Sequence, residues 1–595
     1  MKKEDLEKLK EKISKLSEEE KVARNIYLKR IANGEIYGPM VGYSSIDKPW
    51  LKYYLEDDFY KKCPSMSMYE YLYEKNKNNL NMTALNYFGN KITFRQLFKN
   101  IDIAYQKYTN LGINEKDTVS ICGVCTPEIV YTIYALNRLG ARINMIDPRS
   151  SSDVILEYMR MSNSNNLIII DKLSHLIKDF HQIIKLNNIV ELSVADSLPF
   201  SLRIMANIKN KRNEYMLNYK DIKIKKEYEY SAKRRVGDEA VVVYTGGTTG
   251  KPKGVVLTND NFNNMSHQYG YSNFGVDKGQ KFLDIITPTF AYGICNSLHL
   301  PLTLGMEVVI IPVFDPKKFG HYLNKYKPNH TLGVPKYWEE LMEDDYVSDK
   351  KLSYLFSAGC GGAPMSEEKE EEINAFLEEH GSMSKVAKGY GMTELSSAVV
   401  VCNKSANKLG SVGVPMINSM LSIISTEDGS ELGYNQLGEI CLSSSTLMKE
   451  YLNNEEETNN LIYCGVDGIR WARTGDLGYV DEEGNLFIKD RIKRIIFKRG
   501  IKVYPIEIEE VICKHPAVKN CCVVGANDEC WVEVPIAYVE LKPEYIHEKD
   551  SILNEIKNLC IKELKAYSVP SEFIALEIPL TKMGKNDFKK LERKI

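Results

Sequence analysis

The stretch YTGGTTGKPKG, residues 244–254, follows an apolar run at 240–243, so a buried strand breaks there into glycine, threonine and lysine. Main-chain N–H groups in such a turn can point together at anionic oxygens, because glycine has no Cβ to block the approach. Gly246, Gly247 and Gly250 leave the backbone bare, Thr245, Thr248 and Thr249 add hydroxyl donors, and Lys251 and Lys253 add positive charge. A triphosphate suits this chemistry. The spacing is not that of a Walker loop, since Thr245 stands where its first glycine belongs and Pro252 follows Lys251. Nor is it the GxGxxG turn of a dinucleotide fold, so a kinase or motor-ATPase reading loses its main support.

Four later segments gather further polar side chains: CGGAPMS (360–366), YGMTE (390–394), RTGDLGYVDEEGNLFIKDR (473–491) and PLTKMGKNDFKKL (579–591). With the loop at 244–254, they resemble, in order and at family spacing over about residues 65–595, the adenylate-forming superfamily. That superfamily comprises acyl- and aryl-CoA synthetases, peptide-synthetase adenylation domains and luciferases, and the resemblance is closest to acyl-CoA synthetases. It implies that residues 245–250 and Lys253 form the phosphate loop, with Gly246 in place of the usual serine. It implies adenine and α-phosphate contacts from Gly361, Gly362, Ala363, Pro364, Tyr390, Gly391 and Met392, with Thr393 near the α-phosphate. Asp476 is implied for the ribose, Arg491 for the ribose or phosphates, Thr245 and Glu394 for Mg2+, and Lys585 as the catalytic lysine. The residue types fit: Tyr390 offers a flat face for stacking, and an ionised Asp476 can accept from two hydroxyls at once. Thr245 and Glu394 supply hard oxygens for a hard cation.

The implied reaction joins a carboxylic acid to AMP from ATP, releasing pyrophosphate, and then passes the acyl group to the thiol of coenzyme A. Two anions meet in the first step, so preorganised donors and cations are the remedy. By the same resemblance Lys493 is the pivot of a mobile small domain, and Gly500 in KRGIKVYP lines the thiol channel. In TPTFAYGICN (287–296), Ala291 stands where amino-acid-activating relatives hold the substrate ammonium with aspartate. A buried unpaired ammonium is costly, which disfavours an α-amino acid. Tyr292, Asn296, Gly333, Val334, Tyr337 and Gly359 are the candidate acid pocket, suited to an uncharged acyl or aryl group. Two alternatives stay open: loading of a carrier-protein pantetheine, and an ATP- or adenylate-binding protein that has lost catalysis. Val532 stands where the family often has glycine, and Asn586, Asp587 and Phe588 differ from the usual residues after the lysine.

The elements that must position these groups alternate from about residue 65. Residues 117–124 read as strand, 127–140 as helix, 141–147 as strand, 151–162 as helix and 167–171 as strand. Such alternation signals parallel βαβ units and a layered α/β domain. After about 490 the texture becomes strand, glycine turn, extended segment and helix, then strand, strand and helix, a compact α+β unit. The expected organisation is an N-terminal helical and wrapping extension at 1–64, a large α/β domain at 65–490 and a small mobile α+β domain at 491–595. Residues 3–32 repeat apolar side chains at helical spacing. The Lys-, Asn- and Tyr-rich region at 203–235 reads as a surface connection with local helix. ADSLPFSL at 195–202 lacks the glycines of a phosphopantetheine attachment site, and Pro199 ill suits one.

Composition excludes several classes. At 595 residues the chain exceeds one ordinary core. Its net charge of −2, with 43% hydrophobic and 27% charged residues, implies no nucleic-acid partner from bulk charge. The mixed-sign N-terminus argues against a secretory signal, and no 18-residue uncharged apolar stretch argues for a membrane span. The 13 cysteines, including the lone pair Cys122 and Cys125, read as reduced packing residues, which points to the cytoplasm.

Overall fold

The computed structural model describes residues 41–595 apart from 56–57, 59–60, 207–214, 225–236, 246–251, 345, 348–350, 466–467, 500, 529, 581–585 and 593–595. The helix expected at 3–32 therefore lies outside the described residues. The chain divides into two compact units: the first holds residues 1–421, 442–473 and 483–485, the second 422–441, 474–482 and 486–595. The second unit thus takes in two segments that precede the texture change near 490, and their strands pair with one another and with Leu486–Arg491. One example is the hairpin in which Asp476 to Val480 face Leu486 to Arg491.

The first unit is a mixed α/β body built on two large sheets. The expected strand–helix alternation is realised as strands Thr118–Cys122, Arg142–Ile146 and Asn166–Ile170 with helices Pro127–Leu139 and Ser152–Met161 between them. The three strands pair in parallel. Local chemistry sets the ends of the first helix. Thr126 caps it by accepting from the Ile129 N–H at 3.3 Å, Pro127 opens it, and Gly140 closes it at φ +91°. The eight-stranded sheet continues through Asn188–Leu192 to the edge strand Leu217–Asn218 on one side. On the other it runs through Glu239–Thr245 and Lys253–Thr258 to Glu450–Tyr451.

A nine-stranded sheet carries Lys281–Asp284, His330–Gly333, Ser357–Gly361 and Val386–Met392 as parallel neighbours, with Ser397–Val401 antiparallel beyond them. Helices Phe319–Tyr326, Pro335–Met342 and Glu367–Glu379 cover one face, burying Phe319, Leu323, Trp338, Leu341, Ile373 and Leu377 against Leu283, Val309 and Ala358. Each such side chain contributes about 1.5–3 kcal/mol on burial, which holds the strand ends in place beneath the polar loops.

The second unit carries strands Ile496–Lys498, Ile501–Val503, Val518–Asp528, Val532–Leu541 and Glu572–Ala575, with helices Pro505–Cys513 and Lys549–Glu563. Ile508, Ile512, Ile552 and Ile556 from the helices pack on Val523, Ala537 and Val539 of the sheet. The chain is therefore α/β overall, as its sequence leads one to expect. No disulfide joins any of the 13 cysteines. Among the described residues no helix is long and apolar enough to cross a membrane.

Two residues strain this framework. Glu128, in the first turn of the Pro127–Leu139 helix, is buried; Ser197 Oγ donates to its Oε1 at 2.5 Å, while Oε2 has no partner among the described residues. Burial raises its pKa from 4.5 to about 7. Its neutral form therefore contributes stability that is full below about pH 4.5 and is lost as pH rises through about 7. Glu128→Gln should match the wild type at pH 4.5 and exceed it by about 2–3 kcal/mol at pH 8 in denaturant titrations. Val532, an exposed β-branched residue, sits at φ +69°, a conformation costing about 1–2 kcal/mol. Val532→Gly should stabilise the chain by about 1 kcal/mol, read as a raised unfolding midpoint.

Candidate functional site

In the first unit the loop opens from a hairpin whose two ends are fixed. Thr245 faces Lys253, and Tyr244 faces Gly254, across the antiparallel strands Glu239–Thr245 and Lys253–Thr258. Tyr244 anchors the strand: its ring stacks on Tyr158 at 3.8 Å and its hydroxyl donates to Asn144 Oδ1 at 2.7 Å. Gly246, Gly247, Thr248, Thr249 and Gly250 lie outside the described residues. The Thr245 hydroxyl is buried with no partner among the described residues, and such a group is costly unless something pairs with it.

Glu394 comes from the other large sheet. It sits in the 3-10 turn Thr393–Leu395 that follows strand Val386–Met392, and it is buried. Ser396 at φ +62° and Ser397 at φ +151° reverse the chain directly after it. The return strand passes so close that a Cβ on Gly391 would stand 1.9 Å from the Ser397 carbonyl oxygen. Gly391 is therefore obligatory for the turn that presents Thr393 and Glu394. The pairing also slips between Tyr390 and Gly391, as a bulge does when it re-aims side chains.

Tyr451 joins the two elements, a role that nothing in its surrounding residues signals. Its strand pairs with the hairpin, Tyr451 opposite Val255, while its hydroxyl donates to Glu394 Oε1 at 2.5 Å. Burial, and then the neighbouring Glu394 carboxylate, push the Tyr451 phenol far above its usual pKa, so it stays a donor. Lys253 Nζ lies 4.3 Å from the Tyr451 ring centroid and 3.0 Å from Glu457 Oε2. Glu394, Tyr451, Lys253 and Thr245 thus share one neighbourhood. A buried hydroxyl with no partner among the described residues and a held carboxylate fit a small hard cation that keeps waters and phosphate oxygens as its other ligands.

The acid-pocket candidates fall into two groups. Tyr292 opens the π-helix Tyr292–His299, and its hydroxyl donates to the Gly333 carbonyl at 3.1 Å. That hydroxyl would be 3.7 Å from a Cβ on Gly361, and Val334 Cγ1 would be 3.6 Å from one on Gly362. Tyr292, Gly333, Val334, Gly361 and Gly362 are therefore together, and burial holds the Tyr292 phenol neutral. Asn296, on the same helix, is buried with Oδ1 unpartnered among the described residues. Tyr337 joins the first group, since a Cβ on Gly333 would be 3.4 Å from its Cδ2, and its ring lies 4.8 Å from Phe314; a Cβ on Gly359 would instead strike Leu332 at 2.4 Å. Tyr390, Met392, Thr393 and Ala363 are half-buried and Pro364 is exposed.

In the second unit Asp476 and Arg491 face each other across the Arg470–Val480 and Leu486–Arg491 hairpin, with Arg491 Nε 2.9 Å from Asp476 Oδ1. Thr474 Oγ1 accepts from the Asp476 N–H at 3.1 Å and donates to the Ile440 carbonyl at 2.7 Å, which fixes the carboxylate's backbone. Lys493 is exposed in the turn Ile492–Arg494. Arg494 anchors that turn by reaching Glu509, Asp490 Oδ1 at 3.4 Å and the Val523 carbonyl at 3.2 Å. Gly500 and Lys585 lie outside the described residues.

Comparison with known proteins gives a consistent pattern. Residues 72–452 match the family described as AMP-binding enzyme, and residues 507–585 match the AMP-binding enzyme C-terminal domain. A long-chain-fatty-acid–CoA ligase of Bacillus subtilis (strain 168) is 28% identical over 555 residues, covering 90% of this chain and 96% of that protein. A 4-coumarate:CoA ligase 1 of Petunia hybrida is 28% identical over 485 residues, covering 80% and 84%. Among solved structures, the o-succinylbenzoate CoA synthetase of Bacillus subtilis in complex with its acyl-adenylate intermediate is 26% identical, with a TM-score of 0.72 over 88% of this chain and 97% of that one.

Removing the hydroxyl of Tyr451 leaves Glu394 buried without its donor, a loss of about 1.5 kcal/mol or more for a bond to a charged group. Tyr451→Phe should raise the Mg2+ concentration needed for half-maximal ATP binding about tenfold in calorimetric titrations. An unchanged requirement would remove Tyr451 from the site.

Proposed function

The chain belongs to the AMP-binding enzyme family, within the adenylate-forming superfamily, and from that premise we propose that it is an AMP-forming acid–CoA ligase acting on a non-amino fatty or aryl acid. The observation that carries this reading is the buried Glu394 carboxylate, held by Tyr451 beside the hairpin that ends in Thr245, whose buried hydroxyl has no partner among the described residues. Relatives named for fatty and coumaric acids support the acid–CoA class.

In the first step the substrate carboxylate attacks the α-phosphorus of ATP, and pyrophosphate leaves with the electrons of the bond that breaks. Main-chain amides and hydroxyls of residues 245–250 hold the phosphates, and Thr393 faces the α-phosphate. Glu394 and Thr245 would hold Mg2+, which neutralises phosphate charge when bound. Tyr390 stacks the adenine while Gly361, Gly362 and Ala363 let backbone approach it. Asp476 takes the ribose hydroxyls, and its ion pair with Arg491 keeps the carboxylate aimed. Lys585 bridges the carboxylate and phosphate oxygens as they meet, the charge that a preorganised donor stabilises most.

The acid lies against Tyr292, Gly333 and Val334, with Asn296 offering an unsatisfied oxygen. Ala291 in place of an acid leaves an α-ammonium unpaired, so amino acids are refused. In the second step the thiol of CoA attacks the acyl carbon and AMP departs; Lys493 acts as pivot and Gly500 lines the approach. Thirteen cysteines without a disulfide suit a cytoplasmic setting.

A panel of carboxylic acids with ATP and hydroxylamine should yield hydroxamate from fatty or aryl acids and none from α-amino acids. Lys585→Ala should slow acyl-AMP formation about a hundredfold in a single turnover. Unchanged formation would remove Lys585 from the chemistry, and hydroxamate from no acid at all would favour an adenylate-binding protein. CoA and a pantetheinylated carrier, offered separately, distinguish the two thiol acceptors.

A further inference from the structure

Tyr292 is held at both ends. The next residue, Gly293, lies so close to the preceding loop that a Cβ there would stand 1.8 Å from the Thr287 carbonyl oxygen, so the start of the helix Tyr292–His299 has nowhere to retreat. At the far end of the side chain the hydroxyl is bonded to the Gly333 carbonyl at 3.1 Å. Between these anchors the ring packs on Phe282, Met306 and Leu332. The side chain thus reaches from the helix to the ends of strands His330–Gly333 and Ser357–Gly361, where its hydroxyl would be 3.7 Å from a Cβ on Gly361.

The space beside that apolar packing is nearly full. Phe282, Met306 and Leu332 are buried, and with Tyr269, Val276 and Leu300 they wall a cavity of about 10 Å³, room for one water at most. An alkyl chain running from Gly333 into this cluster would have to push Tyr292 aside, giving up the bond to Gly333 and the close contacts of the ring. A flat group at the strand ends meets no such obstacle. Tyr337 lies beside Gly333 with its ring 4.8 Å from Phe314, so aromatic faces are what such a group would meet.

We propose that Tyr292 closes the acid pocket and restricts the substrate to acyl groups no larger than a single aromatic ring. The proposal rests on the ligase reading and narrows its acid. Tyr292 is then a specificity-determining residue: its ring sets how far the acyl group extends and leaves the reacting atoms to others.

The test is hydroxamate formation from benzoate, butanoate, hexanoate, decanoate and hexadecanoate with saturating ATP. The wild type should favour benzoate and hexanoate over decanoate by about tenfold or more in kcat/KM, the scale on which an apolar pocket separates acids of different length. Tyr292→Ala should raise kcat/KM for decanoate about tenfold and leave the KM for ATP unchanged. Tyr292→Phe, which keeps the ring, should keep the limit. A wild-type profile that peaks at decanoate or hexadecanoate would overturn the proposal, whatever the variants do. So would an unlengthened profile in Tyr292→Ala shown by circular dichroism to be folded, or a lengthened one in Tyr292→Phe. Hydroxamate from no acid at all would end the ligase reading and this proposal with it, whereas a long-chain optimum ends this proposal alone.

Discussion

The hydrogen bond from the Tyr451 hydroxyl to Glu394, supported by the Met448 N–H donating to the Glu394 carbonyl at 2.7 Å, ties the two large sheets together at the place where chemistry is expected. Each partner depends on a different part of the fold. Glu394 is presented by a turn that only Gly391 and the left-handed Ser396 permit. Tyr451 is delivered by a two-residue strand whose sole role in the sheet is to flank the hairpin of Thr245 and Lys253. The donor to this buried carboxylate comes from the strand that also flanks the hairpin of Thr245 and Lys253. Shifting either sheet would therefore part Glu394 from its donor.

Much of this framework was legible in the amino acids. The alternation from 117 to 171 announced parallel strands because each apolar run is short, bounded by turn residues and separated by a helical repeat. Thr126, Pro127 and Gly140 marked a helix end to end. The chemistry-bearing segments were legible because they are unusual as groups: glycine with threonine and lysine, or tyrosine and glycine before threonine and glutamate.

What could not be read is what depends on distant partners. Tyr451 lies in MKEYLNNEEET, where a tyrosine among acids has no chemistry of its own; only its pairing with Val255 brings it to a carboxylate 57 residues away in sequence. Gly359, picked out as a pocket residue, lies against Leu332, since alternation along a strand does not say which face a helix will cover. The left-handed Val532 shows the reverse: the sequence marked a departure there, and the backbone kept the conformation a glycine would have eased.

The chain enters the second unit at 422, leaves at 441, returns for 474–482 and stays from 486 onward. Neither unit is thus a contiguous stretch of polypeptide. On a ribosome, the segment 422–441 finds the strands of its own sheet at Arg470–Val480 and Leu486–Arg491, while Val518–Asp528 and Val532–Leu541, which form the other sheet of its unit, follow later. The unit is begun before the first one ends and completed only near the end of the message. Vectorial synthesis therefore cannot finish one body before starting the other, and a fragment ending near 490 would carry pieces of a unit whose remainder it lacks.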